Sequence, residues 1–285
     1  MKKIFLSFVM FTIVSAWCQQ RSFKAEVYGN GQPIILIPGY SCSGDVWNAT
    51  VDALKAKYQL HVLTLAGFAG VPPIDTPILK TVKNDLIKYV KDNHLNKPVL
   101  IGHSLGAFMS LWVASEEPSL FSKIICVDGV PFFAAMSNPS ITSEEIKKNP
   151  AYNAEAAAAN FKNMPEKEFK DNQFKQMLTM VSDTARARLI AQWGAASDRK
   201  TLGYTFVEMY TTDLRNDIAK INIPVLVLGS TYGTKEISQK ILGEQYSLLP
   251  DKRIFIAPTK HFIMYDDPIW FREQVKNFLI NGLAD

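Results

Sequence analysis

Short apolar runs alternate with helical patterns along most of this chain of 285 residues, and this alternation restricts the folds it can adopt. The runs are rich in β-branched and aliphatic residues and are bounded by Gly or Pro, which is typical of strands buried on both faces of a sheet. They lie at residues 33–37, 60–65, 99–101, 124–127, 225–228 and 253–256. Helical patterns lie at residues 45–57, 81–93, 106–115 and 270–279. We therefore predict an α/β fold with a mostly parallel sheet and helices on both faces.

The alternation stops after Val130 and returns at Pro224. Residues 131–215 are rich in Ala, Lys, Glu and Met and contain no strand-like run. Because the runs on either side continue one sheet pattern, we interpret residues 131–215 as a helical cap inserted into a core formed by residues 19–130 and 216–285. The alternative is a second, all-helical domain remote from any site.

The N-terminus has the pattern of a targeting segment. Two lysines precede an almost unbroken apolar run over residues 4–16, which is shorter than the roughly 20 residues of a membrane-spanning helix. We predict a secretory signal peptide over residues 1–18, cut before Gln19, and a periplasmic or extracellular protein. The alternatives are an uncleaved anchor and a lipoprotein with a lipid on Cys18. Removing residues 1–18 takes away two lysines and no acid, so the net charge falls from +4 to +2.

Composition excludes several classes of function. The three cysteines, Cys18, Cys42 and Cys126, form neither a disulfide framework nor a zinc-binding spacing, and we expect the latter two to be buried thiols. No dense Lys/Arg block follows the first two lysines, which argues against nucleic acid as a partner. The chain has no phosphate loop, dinucleotide fingerprint or metal cluster, so no cofactor or metal is implied.

The strongest motif is Gly-His-Ser-Leu-Gly at residues 102–106. It follows the apolar run that ends at residue 101 and opens a helical pattern. A turn of this kind between a strand and a helix strains the backbone of Ser104 and exposes its hydroxyl above the sheet edge. The positive end of the helix dipole favours negative charge that develops there. The sequence therefore predicts Ser104 as a nucleophile.

A second motif, Pro-Gly-Tyr-Ser at residues 38–41, directly follows an early buried run. With these two motifs the chain resembles the α/β-hydrolase family over about residues 25–280, although the family usually has His where Pro38 stands. The resemblance implies an α/β-hydrolase fold and an oxyanion hole formed by the backbone N–H groups of Tyr40 and Leu105. Because these donors are backbone groups, we expect that Pro38 in place of His does not remove the oxyanion hole.

The resemblance also implies a histidine base late in the chain. The histidines are His61, His94, His103 and His261. His261 follows the strand-like run at 253–256 and is followed by Phe and then an Asp-Pro pair, as in the family's final segment. We predict that His261 is the base and that His103, inside the Gly-x-Ser-x-Gly motif, has a packing role.

The acid that orients the histidine is not at the position that the family commonly uses. Family members commonly place an Asp three residues after a glycine that ends the strand-like run at 225–228, where this chain has Tyr232. Some members place the acid one strand earlier, and there this chain has Asp128. We predict that Asp128 fixes the imidazole tautomer. The alternatives are Glu236 as the acid and a purely structural Asp128.

These residues together predict a serine hydrolase that cleaves a small carboxylic ester through an acyl-enzyme. Alternatives are a perhydrolase or C–C bond hydrolase on the same triad and, in a different class, a non-catalytic binding protein of the same fold. Aromatic and methionine side chains could form an apolar acyl pocket or simply pack in the interior. These are Phe68, Trp193, Tyr204, Met209 and Tyr210.

Overall fold

The computed structural model describes residues 22–283, so the predicted signal peptide and Cys18 lie outside the described residues. The strands are β1 (Phe23–Tyr28), β2 (Gln32–Ile37), β3 (Tyr58–Leu65), β4 (Val99–His103), β5 (Lys123–Val127), β6 (Val225–Gly229) and β7 (Lys252–Ile256). The α-helices are α1 (Asn48–Leu54), α2 (Ile78–Asp92), α3 (Leu105–Glu116), α4 (Ser143–Lys148), α5 (Ala154–Asn163), α6 (Glu166–Met180), α7 (Thr184–Ala195), α8 (Arg199–Thr211), α9 (Lys235–Gln245), α10 (Ile263–Asp266) and α11 (Pro268–Asn281).

The strands form one sheet in the order β1-β3-β2-β4-β5-β6-β7. Strand β1 is antiparallel to β3, and the other neighbouring pairs are parallel. The predicted fold class is therefore confirmed. Because the carboxyl ends of parallel strands meet at one sheet edge, the loops after β2, β4, β5, β6 and β7 lie on the same side of the molecule.

Successive strand residues belong to two hydrophobic clusters, one on each face of the sheet. Leu100 and Ile124 lie in the first cluster, whereas Ile101 and Ile125 lie in the second. All four are fully buried, which explains why these strands have no polar alternation. Helices α2 and α3 contribute to the first cluster, and α1 and α11 contribute to the second.

Helices α4 to α8 lie between β5 and β6, within the segment predicted as a cap, and the described part of that segment contains no strand. Helix α5 packs on α8, and α6 packs on α7. The loop after β3 bonds to the start of α8, because Gly67 O accepts from Asp198 N at 2.7 Å and Ala69 N donates to Ser197 Oγ at 3.0 Å.

A carboxylate of α8 also caps a core helix. The residue before α2 is Pro77, whose side chain makes no capping hydrogen bond. Glu208 accepts instead from Ile78 N at 2.7 Å and from Leu79 N at 2.6 Å. Two backbone donors that a helix leaves unpaired at its N-terminus are thus bound by the inserted segment.

None of the helices in residues 22–283 combines the length and apolarity that a membrane span requires. Cys42 and Cys126 are both buried free thiols, as expected.

Candidate active site

Ser104 lies in a strained turn between β4 and α3. Its φ of 54° and ψ of −116° are unusual for a residue with a side chain. The glycines at both ends of the motif have no room for a side chain. A Cβ on Gly102 would lie 2.1 Å from Gly106 O, and a Cβ on Gly106 would lie 2.1 Å from Ile37 O. This close packing holds a conformation that costs on the order of 1–3 kcal/mol.

Asp128 follows β5, beside the Ser104 turn, and it also has a positive φ, of 45°. Its Oδ1 accepts from Ser230 N at 2.6 Å, and its Oδ2 accepts from Ser230 Oγ at 2.8 Å. The Asp128 side chain is fully buried. Ser230 belongs to no motif in the sequence, although its position directly after β6 places it at the same sheet edge.

His261 lies in the loop after β7, and its Nδ1 is 2.6 Å from Oδ2 of Asp128. The two side chains are thus within hydrogen-bond distance. With Nδ1–H donating to the carboxylate, Nε2 is left with a lone pair that can accept a proton. Ser104, His261 and Asp128 all line one cavity.

His103 packs behind this group, as predicted. It is fully buried, and its ring lies 4.6 Å from that of His261 and 4.6 Å from that of Phe262, centre to centre. Burial, and then the charge of His261, lower the pKa of His103 well below its usual value, so the ring is neutral. Its Nε2 is 3.1 Å from the backbone O of His261 and donates to it. His103 thus helps to fix the loop that carries His261.

The predicted oxyanion donors are the backbone N–H groups of Tyr40, which lines the cavity from the loop after β2, and of Leu105, which directly follows Ser104. In the described part of the chain neither N–H has a hydrogen-bond acceptor, and Leu105 is the first residue of α3, where an N–H has no intrahelical partner. The Tyr40 side chain also makes contacts of its own. Its hydroxyl donates to Leu202 O of α8 at 2.7 Å, and its ring packs edge-to-face on Phe68 at 5.5 Å.

The other candidate acids are placed differently. Glu236 is exposed in the first turn of α9, and backbone and Thr234 hydrogen bonds lower its pKa. Tyr232, where the family commonly has Asp, lines the cavity near Asp128. Burial, with the nearby charge of Asp128, raises the pKa of Tyr232 well above its usual value. Tyr232 therefore stays neutral, and Asp128 is the carboxylate that contacts His261.

The cavity has a volume of about 250 Å³. Its floor comes from the core, and its roof comes mostly from residues 131–215. The roof side chains are Phe133, Met136, Gln176, Met177, Met180, Phe206, Met209 and Tyr210. Two of the predicted pocket residues, Met209 and Tyr210, are thus in the wall. The other three do not line the cavity. Trp193 lines a separate groove, the Tyr204 hydroxyl donates to Glu155, and Phe68 is packed in the interior.

Comparisons with known proteins agree with this architecture. A sequence model described as the Alpha/beta hydrolase family matches residues 34–274. The chain is 25% identical to a pimeloyl-[acyl-carrier protein] methyl ester esterase of Aeromonas hydrophila, over 90% of this chain and 99% of that protein. It is 29% identical to a protein of the same name from Vibrio atlanticus, over 40% of this chain and 43% of that protein. This second match spans less than half the length of its relative.

The fold is also similar to the crystal structure of an enol-lactonase from Burkholderia xenovorans LB400. The TM-score is 0.73 at 14% identity, and the match covers 90% of this chain and 96% of the other. Because the family model spans most of the sequence, this protein belongs to the alpha/beta hydrolase family and is a hydrolase-type enzyme.

Proposed function

We propose that the protein is a serine carboxylic-ester hydrolase that acts on a small substrate through an acyl-enzyme on Ser104. The observation that carries this proposal is the Asp128–His261 pair, 2.6 Å apart, in the same cavity as a serine held at positive φ. The similarity to methyl ester esterases supports the ester as the reacting bond.

The proposed reaction begins when Ser104 Oγ attacks the ester carbonyl carbon and His261 Nε2 takes the hydroxyl proton. The oxyanion that forms accepts hydrogen bonds from the N–H groups of Tyr40 and Leu105. His261 then gives the proton to the leaving alkoxide, which departs as the alcohol. A water molecule, deprotonated by His261, attacks the acyl-enzyme and releases the carboxylic acid with restoration of Ser104.

Asp128 has an orienting role in this proposal. Its Oδ2 holds the Nδ1–H tautomer of His261 and stabilises the imidazolium that forms in each half-reaction. Ser230 fixes the carboxylate through both its N–H and its hydroxyl. The acid therefore reaches the histidine in one defined orientation.

The direct test is labelling with a fluorophosphonate, followed by mapping of the modified peptide. We expect one label, on Ser104, and a fall in turnover of a short ester by several orders of magnitude in Ser104→Ala. Ser115→Ala, at the far end of α3, is the matched control and should retain both label and turnover. A label on a different serine, or near-normal turnover in Ser104→Ala, would refute the assignment.

We further propose that the enzyme acts after export, on the strength of the predicted signal peptide in residues 1–18. Its substrate is then an ester that is present outside the cytoplasm.

A further inference from the structure

Apart from Gln176, the roof of the cavity is built from flexible methionine side chains and from aromatic rings. Met177 and Met180 come from α6, and Met209 comes from α8. Phe206 and Tyr210 form a packed aromatic pair with ring centres 4.5 Å apart. Methionine is unbranched and adapts to irregular shapes, whereas packed rings do not. The methionine side chains can therefore adjust to an aliphatic chain that lies against the rings.

No cationic side chain is available in this wall to pair with a substrate anion. Among the described residues that line the cavity, none is Lys or Arg, and Asp128 is the sole carboxylate. Nearby cations are bound elsewhere. Lys260 Nζ donates to Leu178 O at 2.9 Å and to Val181 O at 3.3 Å, and Arg215 pairs with Asp213 at 2.7 Å.

Burying an ionised carboxylate without a partner is strongly unfavourable, while burying a methyl end group is favourable. On the basis of the proposed function, we infer that this cavity takes esters whose acyl chain is aliphatic and ends in an uncharged group. The same wall rejects acyl chains of equal length that end in a carboxylate. The determinant is the methionine and aromatic roof rather than the catalytic group.

The volume limits the length of that chain. An apolar cavity of about 150 Å³ accommodates benzene, and pockets for drug-sized ligands begin near 300 Å³. The volume of about 250 Å³ therefore suits roughly ten non-hydrogen atoms, shared between the acyl and alcohol groups. A methyl ester of a six- to eight-carbon acid matches this size.

The test compares three methyl esters that fit the stated size and differ at the far end: methyl hexanoate, dimethyl butanedioate and monomethyl butanedioate. We expect kcat/KM for both neutral esters to exceed that for the charged monoester by about 100-fold. The neutral diester separates the effect of charge from the effect of size. Equal kcat/KM for charged and neutral esters would overturn the inference.

A charge placed in the roof should reverse part of this selectivity. Met209→Lys puts an ammonium in the wall, and we expect the ratio of charged to neutral kcat/KM to rise about tenfold or more. Leu178→Lys is the matched control, because Leu178 neighbours Met177 on α6 but is 38% exposed and does not line the cavity. In Leu178→Lys the ratio of kcat/KM for the charged ester to kcat/KM for the neutral esters should stay at the wild-type value. If Met209→Lys does not fold, Met177→Lys tests the same wall from α6.

Short-ester turnover and phosphonate labelling of Ser104 separate this inference from the proposed function. A labelled enzyme that hydrolyses p-nitrophenyl acetate but does not discriminate among the three methyl esters leaves the function in place and refutes the substrate class. An enzyme that is not labelled and hydrolyses no ester refutes both.

Discussion

Asp128 carries a specific prediction at the scale of single residues. Asp128→Asn presents an amide in place of the oxygen that receives His261 Nδ1–H, so the wrong imidazole tautomer is favoured. We expect kcat for a short ester to fall by up to about 10⁴-fold, with an unchanged circular dichroism spectrum. Steady-state kinetics of the purified variant measures this.

Glu236→Gln provides the control for that experiment. Glu236 is an exposed acid near the end of β6, so its variant should keep wild-type kinetics. Full activity in Asp128→Asn, or a large loss in Glu236→Gln, would contradict the assignment of the acid.

The location of site residues at strand ends was predictable from the sequence. Their hydrogen bonds to residues far away in the sequence were not. Ser104, Asp128 and His261 follow strands β4, β5 and β7, and parallel strands bring such positions to one edge. The bond between Tyr40 and Leu202 joins residues 162 positions apart. No local pattern encodes that bond, because it depends on how α8 lies over the core.

At the scale of elements, the Tyr40 hydroxyl links the loop after β2 to α8. Tyr40→Phe removes this bond and leaves the backbone N–H in place, so the loop is held less tightly where the oxyanion forms. We expect kcat for a short ester to fall about tenfold, with a smaller change in KM, because the donor acts in the transition state. Tyr28→Phe, on the exposed side of β1, should have no effect. Unchanged kcat in Tyr40→Phe would count against this role.

Glu208 gives a pH-dependent prediction for the contact between α8 and α2. Burial raises the pKa of Glu208 above its ordinary value of 4.5 and outweighs the backbone hydrogen bonds that lower it. The folded protein therefore binds this proton more tightly than the unfolded chain. The contribution of Glu208 to the free energy of unfolding is largest below pH 4.5 and declines as the pH rises through the raised pKa.

Urea denaturation of wild type and Glu208→Gln at several pH values measures this effect. We expect the stability of wild type relative to the variant to be greater at pH 4 than at pH 7.5. Glu168→Gln, an exposed acid on α6, should show no such trend. A relative stability of wild type that rises with pH would contradict the prediction.

Strand predictions succeeded where a strand has a continuous apolar run and failed where it has none. Strand β1 was not predicted, because it is an edge strand whose burial varies along its length and it has no continuous apolar run. The pattern at residues 45–57 predicts one helix, but the structure has a 3₁₀ helix at Gly44–Trp47 followed by α1. Periodicity locates such a segment but does not resolve its first turn.

At the scale of the whole molecule, the number of thiols tests whether the predicted signal peptide has been removed. Burial raises the pKa of both Cys42 and Cys126 to about 12, and both thiols lie in the interior. We expect the native protein from its host to react very slowly with a thiol reagent and to show two thiols in denaturant. A chain that retains residues 1–18 would show three, since Cys18 remains. Mass spectrometry should place the N-terminus at Gln19.

An N-terminus at Met1 in protein from the host would contradict export with cleavage. A diacylglycerol adduct on Cys18 would instead support the lipoprotein alternative. In both cases the fold of residues 22–283 is unaffected, so the enzyme assays above can be interpreted independently.

Helix α8 forms part of the cavity roof and also contacts the loop of Tyr40 and the start of α2. We expect an acyl chain too long for the roof to displace α8 and, through Leu202, to move the loop whose N–H would stabilise the oxyanion. We expect poorly fitting esters to bind nearly as well as good ones and to react slowly. Such esters would then act as competitive inhibitors of the preferred substrate, and selection among esters would take place after binding rather than at entry.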